Sequence, residues 1–414
     1  MDKENPQVNE RPGAQKATES INVASSQSNN SIIGATTLQR KQSHPSFASN
    51  STKLWAVLIR SLFGNPLKII STLVGLGICI LLIPPFIEWG IVSAVFSADP
   101  VACQEARGIG ACWGVIVEKY PLILWGRFPY AQQWRPQLST ALLLVLIVRS
   151  SLNRVTFTQL CAEWFCILGL IFVLMSGYLG PLEFLRNSVL TPLFGQPFTV
   201  VSTDLWGGLP LTLMLSFVCI VLASPLAVFL ALGRQSQLPI FSVLSKTYIE
   251  LLRGVPLISV LFMASYMFPL LLPSGYSPDV LIRVVLGISL FAAAYLAEIV
   301  RAGLQAIPKG QLEAADSLGL GYWQTQYLVV LPQALKIVIP GMMNSFIAIF
   351  KDTSLITIVS LYELTGSLSL ALNGDALWRP FKLEGYLFIT LIYFVFCFSM
   401  SRYSLWLEKR LNHS

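Results

Sequence analysis

Leu209–Leu232 runs for 24 residues without an Asp, Glu, Lys or Arg. Roughly 20 apolar residues cross a hydrocarbon core as a helix, so this run alone points to a membrane. Seven more apolar segments can be read by length: Lys68–Ile87, Gln137–Val148, Trp164–Leu179, Ile249–Leu272, Val280–Val300, Ala334–Phe350 and Tyr386–Trp406. The second has a short apolar centre and is expected to extend into Leu152; the seventh is short and ends at a polar break. Hydrophobic types make up 54% of the chain and charged types 12%. So few charges cannot cover the surface of a soluble protein this apolar. An ordinary cytosolic enzyme and a disordered protein are excluded, and the expected fold is an all-α polytopic membrane protein with about eight transmembrane helices.

Charge sets the orientation. Lys53, Arg60, Lys68, Arg149, Arg154, Arg234, Lys246, Arg301, Lys309, Arg402, Lys409 and Arg410 fall on one side. The other side has longer loops with Asp99, Glu105, Glu118, Asp204 and Asp279. The first side is therefore expected to be cytoplasmic, with both termini there. The same preference explains the net charge of +7; no basic and aromatic stripe outside the apolar runs suggests nucleic acid. Residues 1–50 are rich in Ser, Asn, Gln, Thr and Ala, and are expected to be disordered and not a cleaved signal. His44 and His413 lie in the tails, so no histidine metal site or proton relay is expected. Five cysteines sit in or beside apolar runs. Cys103 and Cys112 share one polar outer loop, nine positions apart. In an oxidising compartment they could close a small disulfide; otherwise they stay free thiols.

The most informative stretch lies between the sixth and seventh apolar runs, on the expected cytoplasmic side. Pro308 suits a helix first turn, Leu312, Ala315 and Leu318 share a helical face, and Gly319 can stop the helix in a left-handed conformation. The expectation is a short helix, a bend, and a second helical piece ending at Pro332. Glu313-Ala314-Ala315, Gly319, Val329 and Leu331-Pro332 match the spacing of the EAA loop. This stretch therefore resembles the coupling loop of membrane subunits of ATP-binding-cassette importers, with Val329 where Ile is common. The resemblance implies that the helix near 308–322 docks in a cleft of an ATPase subunit.

Further motifs narrow the likeness. Glu250-Leu-Leu-Arg253-Gly254-Val255-Pro256-Leu257, Ala294-Tyr295-Leu-Ala-Glu298-Ile-Val-Arg301-Ala-Gly303, Lys351-Asp352-Thr353-Ser354-Leu355 and Gly208-Leu209 with Thr212-Leu213 resemble motifs of polar amino acid permeases of the histidine/glutamine type. Val255 stands where that family has Thr. The resemblance covers residues 206–414, the five-span core. Residues 51–205, with three spans and the long outer loop Trp89–Pro136, resemble the extension of the longer permease subunit of general L-amino-acid or glutamate/aspartate importers. The implied partners are a cytoplasmic ATP-binding subunit dimer, a second homologous permease subunit forming a heterodimer, and a periplasmic amino acid binding protein. The chain has no Gly-x-x-x-x-Gly-Lys-[Ser/Thr] loop, so no cofactor is expected on it; ATP and Mg would sit on the partner ATPase subunits.

The polar residues leave alternatives. Arg253 either faces a cavity and pairs with a substrate carboxylate, or snorkels or pairs with Glu250. Lys351, Asp352, Thr353 and Ser354 break the seventh span. They either place polar groups at the substrate, or serve as helix ends, with Lys351 on the dipole and Asp352 or Thr353 as a cap. Asn344 and Thr212 are candidate cavity residues. Glu298 and Arg301, three apart, are read as a gate or structural ion pair. Trp113, Trp125, Phe128 and Trp134 form either an interfacial belt or a docking surface for the binding protein. The expected function is ATP-driven, binding-protein-dependent import of polar L-amino acids across the bacterial inner membrane. The alternative is an ion-gradient-driven secondary amino acid transporter. No constellation in the spans suits a membrane enzyme.

Overall fold

In this computed structural model the structure describes residues 62–151, 156–178, 184, 198–273 and 275–412. The tail 1–50, Lys53, Arg60, Arg154, His44 and His413 lie outside the described residues. The chain divides into two compact units, Met1–Ile78 and Cys79–Ser414.

Helix α1, Pro66–Ile87, is apolar all round and has no buried residue. Pro84 and Pro85 lie inside its last turn, and a π-helical turn follows at Glu88–Val92. The outer loop then folds into α2, Pro100–Glu105, and α3, Gly114–Trp125. Asp99 caps α2, accepting from Val101 N at 2.9 Å. Helices α4, Trp134–Ser151, and α5, Phe157–Ser176, pair through Arg149 Nε on Glu163 at 2.6 Å and Trp164 Nε1 on Ser150 Oγ at 2.9 Å.

The remaining helices build the larger core. They are α6, Gly208–Gln235; α7, Pro239–Gly254; α8, Leu257–Phe262; α9, Val280–Gln305; α10, Lys309–Ser317; and α11, Tyr322–Thr325. Helix α12, Leu331–Asp352, follows a π-helical turn at Gln326–Val330. A two-residue strand, β1, Tyr362–Glu363, precedes α13, Leu364–Asn373, and α14, Lys382–Asn412. Helices α6 and α9 pack most extensively, and small residues on both (Ala223, Ala227, Ala292, Ala293) are fully or almost fully buried. Small side chains let helix backbones approach where hydrocarbon gives no hydrophobic drive.

Among the described residues six helices are long and apolar enough to cross a membrane, and seven if α7 and α8 count as one bent span. The reading of eight is thus not met by length and composition. The difference is α4, a real helix over the expected Gln137–Val148, whose polar start, Trp134-Arg135-Pro136-Gln137, dilutes its apolar centre. The expected fifth span is not straight: α7 and α8 bend by 105° at Val255-Pro256. Pro256 carries no N–H to continue α7, and the residue before a proline is pushed to extended backbone.

The outer loop is not a detached flap. Cys103, Cys112, Val115 and Ile123 share a buried cluster with Leu364, Leu368 and Trp378 of the C-terminal half. Cys103 and Cys112 are joined in a disulfide, Cα atoms 5.4 Å apart. Lys119 Nζ lies 2.8 Å from Asp375, and Cys112 N donates to Glu384 at 3.0 Å. Gly126 and Gly207 cross so tightly that a Cβ on Gly126 would meet Gly207 Cα at 2.5 Å. Of the loop aromatics Phe128 is buried, Trp113 is part-buried and bonds Gly90 O at 2.7 Å, and Trp134 packs on Phe198. Arg135 is wholly buried and held by the carbonyls of Leu174 and Thr199 at 2.5 and 2.9 Å.

Candidate functional site

The loop after α9 builds a short exposed helix. Pro308 precedes it as its N-terminal cap position, and α10 runs Lys309–Ser317. Gly319 then takes φ +73°. Leu320 N bonds Ala315 O at 3.1 Å and Gly319 N bonds Asp316 O at 2.9 Å. This is a Schellman stop, which satisfies the last carbonyls and turns the chain. Ala315 is buried, while Glu313, Ala314 and Leu318 face out. Leu312, Ala315 and Leu318 keep their helical spacing, and of the three Ala315 alone is buried. Gln333 ties the base of α12 to Gln311 at 3.1 Å. The second helical piece does not end at Pro332. The helix runs on through Leu331 and Pro332 into α12, with the π-helical turn Gln326–Val330 just before the proline.

The surroundings of Glu298 are the densest charge cluster among the described residues. Arg301 Nε donates to it at 2.8 Å, Arg234 bonds its other oxygen, and Arg253 lies 3.6 Å from that oxygen. Glu298 thus gathers α6, α7 and α9. The sequence pair Glu298–Arg301 is present, but it is half of a larger hub. Arg253 goes to Glu298 and not to Glu250, which lies 3.9 Å from Arg234 instead. Its guanidinium also sits 5.6 Å from the Tyr295 ring centroid. The bend at Pro256 ends α7 at Gly254, and so carries Arg253 to the face of α9.

Next to Tyr295 a cavity of about 300 Å³ opens between α8, α9 and α12, lined by Leu257, Ile288, Phe291, Ala292, Tyr295, Ser345, Ala348, Ile349 and Asp352. Of the expected pathway residues only Asp352 lines it. Asn344 is exposed, and its neighbour Ser345 takes the cavity position instead. Lys351 is exposed, Thr353 is fully buried and donates to Phe350 O at 2.8 Å, and Ser354 is half-buried. Lys351–Ser354 do not break the span. The helix tightens into a 3-10 turn over Thr353–Val359, and neither Asp352 nor Thr353 caps it with a side chain. Tyr295, Phe291 and Ser345 were missed as cavity residues, although Tyr295 and Phe291 recur four apart on α9, one face of a helix.

Thr212 does not line this cavity. It is buried and bonded to Glu363 at 3.3 Å. Glu363 is itself fully buried and accepts from Thr365 N at 2.8 Å, Gly366 N at 3.1 Å and Tyr393 Oη at 2.8 Å. Burial pushes its carboxyl above the usual range, opposed by these hydrogen bonds. The residue stood out to no spacing rule, because its partners come from α6, α13 and α14.

Comparison with known proteins decides the family. Residues 223–413 match the family described as binding-protein-dependent transport system inner membrane component. The chain is 44% identical over 375 residues to the inner membrane amino-acid ABC transporter permease protein YhdY of Escherichia coli K12, spanning 89% of this chain and 97% of that protein. This chain belongs to the amino-acid ABC transporter permeases. It is also similar to the glutamate/glutamine/aspartate/asparagine transport system permease protein BztC of Rhodobacter capsulatus, 38% identical over 85% of this chain and 92% of that one. A solved structure described as an amino acid ABC transporter with histidines aligns with 49% of this chain and 92% of its own, at 30% identity and a TM-score of 0.44. Both relatives extend well upstream of residue 206, so the permease likeness takes in the outer loop as well as the core.

Proposed function

We propose that this permease is one membrane subunit of an ATP-driven, binding-protein-dependent importer of polar L-amino acids in the bacterial inner membrane, with both termini in the cytoplasm. The single observation that carries the reading is the exposed Glu313-Ala314 face of α10, closed by the Gly319 turn and anchored to α12 through Gln333. An ATPase dimer, holding ATP and Mg, pulls this helix as it closes. The movement enters α12 at Leu331-Pro332 and reaches the cavity at Ser345 and Asp352. A second, similar permease chain completes the pathway, and a periplasmic binding protein delivers the substrate. Glu298 holds α6, α7 and α9 together on the cytoplasmic side of that cavity, and Arg253 stands at its edge for a substrate carboxylate. The four amino acids in the name of BztC make polar side chains the first class to test.

The test is reconstitution of the full chain with its co-purifying subunits in proteoliposomes. ATP-dependent uptake of labelled L-glutamine or L-glutamate is expected. Glu313→Lys should remain in the membrane yet lose uptake and stimulated ATP hydrolysis. Accumulation by this chain alone under a sodium or proton gradient would overturn the reading.

A further inference from the structure

A second cavity, of about 290 Å³, lies at the other end of α9, beyond the coupling side. That is near the lower end of the size range for small-molecule sites. It is built by Arg127 from the outer loop, Thr203 and Asp204 before α6, Asp279 and Val280 at the start of α9, and Val359–Tyr362 after α12. Its charges are mixed. Arg127 donates to the Asp204 carbonyl at 2.5 Å and lies over the Tyr362 ring at 4.9 Å. Those two contacts leave most of its five N–H groups open. The Asp204 carboxylate has no hydrogen bond among the described residues, whereas Asp279 is occupied by Leu281 N at 2.7 Å and by Thr203. Val280, Val359 and Leu361 give the cavity an apolar wall. Ser360 lines it at φ +64°, the one non-glycine residue with positive φ among those described. Such backbone conformations gather at ligand sites.

We propose that this cavity is a binding vestibule for free α-amino acids, with Arg127 taking the α-carboxylate and Asp204 the α-ammonium. A zwitterion needs a cation and an anion that are both open on one cavity, and Arg127 and Asp204 line this one together. The proposal rests on the transport reading above and deepens it. Both cavities share the same rails. Val280 and Ile288 are eight residues apart on α9, about 12 Å of helix. Val359 and Asp352 are seven apart along the 3-10 extension of α12, about 14 Å. A ligand leaving the vestibule therefore has the Asp352 cavity next along the same two elements. Recognition here reads the backbone groups of the amino acid, and leaves its side chain to the apolar wall.

The test uses the full chain assembled with its partner subunits in nanodiscs, where both faces are open to reagent. Ser360→Cys is placed in a background with the exposed Cys79, Cys161 and Cys166 changed to Ser, and its modification by a charged maleimide is timed. L-Glutamine should slow labelling. Glutaramate, which lacks the α-ammonium, and the amide of γ-aminobutyrate, which lacks the α-carboxylate, should not. Arg127→Gln and Asp204→Asn should each raise the protecting concentration roughly tenfold or more. Val280→Cys serves as reporter if the Ser360 variant does not assemble. No protection by L-glutamine, or protection that survives both substitutions, overturns the vestibule. Uptake measured on the same assembly judges the transport reading separately: uptake without protection sinks the vestibule alone.

Discussion

Arg301 Nε donates to Glu298 Oε2 at 2.8 Å from one helical turn away. That pair would be an ordinary surface contact if Arg234 and Arg253 did not converge on the other oxygen of the same carboxylate. With 15% of its side chain exposed, Glu298 balances three guanidinium groups drawn from three helices.

Glu298→Gln should therefore cost about 1–3 kcal/mol, more than an exposed pair, because it leaves the arginines clustered without their shared anion. The melting temperature of the purified chain in detergent measures this. Glu298→Gln combined with Arg301→Gln should be less destabilising than the two single losses added. Additive losses would show that Glu298 and Arg301 act independently.

Glu363 predicts a pH effect of definite sign. Its folded carboxyl titrates above the unfolded one because burial disfavours the charged form. Its contribution is thus fully present below the ordinary carboxylate range and is lost as pH rises through the raised folded value. Glu363→Gln removes that titration, so the melting-temperature difference between the natural chain and the variant should shift in favour of the variant as pH rises. A difference that stays flat with pH would show the carboxyl to be unperturbed. Tyr393→Phe deletes the 2.8 Å bond to the same carboxyl and should cost about 1–3 kcal/mol.

These two centres differ in how far the sequence exposes them. The Glu298–Arg301 pair is legible because i, i+3 spacing on a helix is local geometry. Arg234 and Arg253 join it through tertiary packing, which no spacing rule encodes. Helix α10 is legible almost in full, since Pro308 and Gly319 each act through their own backbone. Its continuation is not: Pro332 reads as a stop, whereas the helix runs on through it after the π-helical turn at Gln326–Val330. The polar run Lys351–Ser354 reads as a break. The helix survives there because Thr353 turns its hydroxyl back to the Phe350 carbonyl and the backbone tightens to 3-10. α4 is legible as a helix, but reading its short apolar centre as a membrane span overlooks the polar start Trp134-Arg135-Pro136-Gln137 that dilutes it.

The outer loop should be stabilised separately by its covalent and its ionic tie. Cys103→Ser opens a loop closed over a separation of nine residues, and chain entropy alone sets its cost at about 2–3 kcal/mol. Asp375 is held below the usual carboxylate range by the hydrogen bond from Lys119, then by Leu377 N. Its contribution is present above the ordinary Asp value and fades as pH falls through the depressed folded one. Proteolysis of the loop, followed with pH, should therefore accelerate at the acid end in the natural chain and lose that acid step in Asp375→Asn. Under reducing conditions Cys103→Ser should be indistinguishable from the natural chain.

Gly319 offers a test of coupling that does not touch the surface charge of α10. At φ +73° an L side chain costs about 1–2 kcal/mol, and there is open space around the position, since an added Cβ would meet nothing within 4 Å. Gly319→Ala therefore acts through the backbone turn and not through a clash. Relief of the strain loosens the Leu320–Ala315 and Gly319–Asp316 bonds that fix the direction in which α10 leaves for α11. The membrane core, anchored around α6 and α9, should keep its melting temperature to within that cost. Uptake should fall further than basal ATP hydrolysis, because force applied at Glu313 reaches α12 through a slack turn. Gly319→Asn, a residue that tolerates the left-handed region, should restore most of the uptake. Equal losses in Ala and Asn variants would show that the position matters for something other than its φ angle.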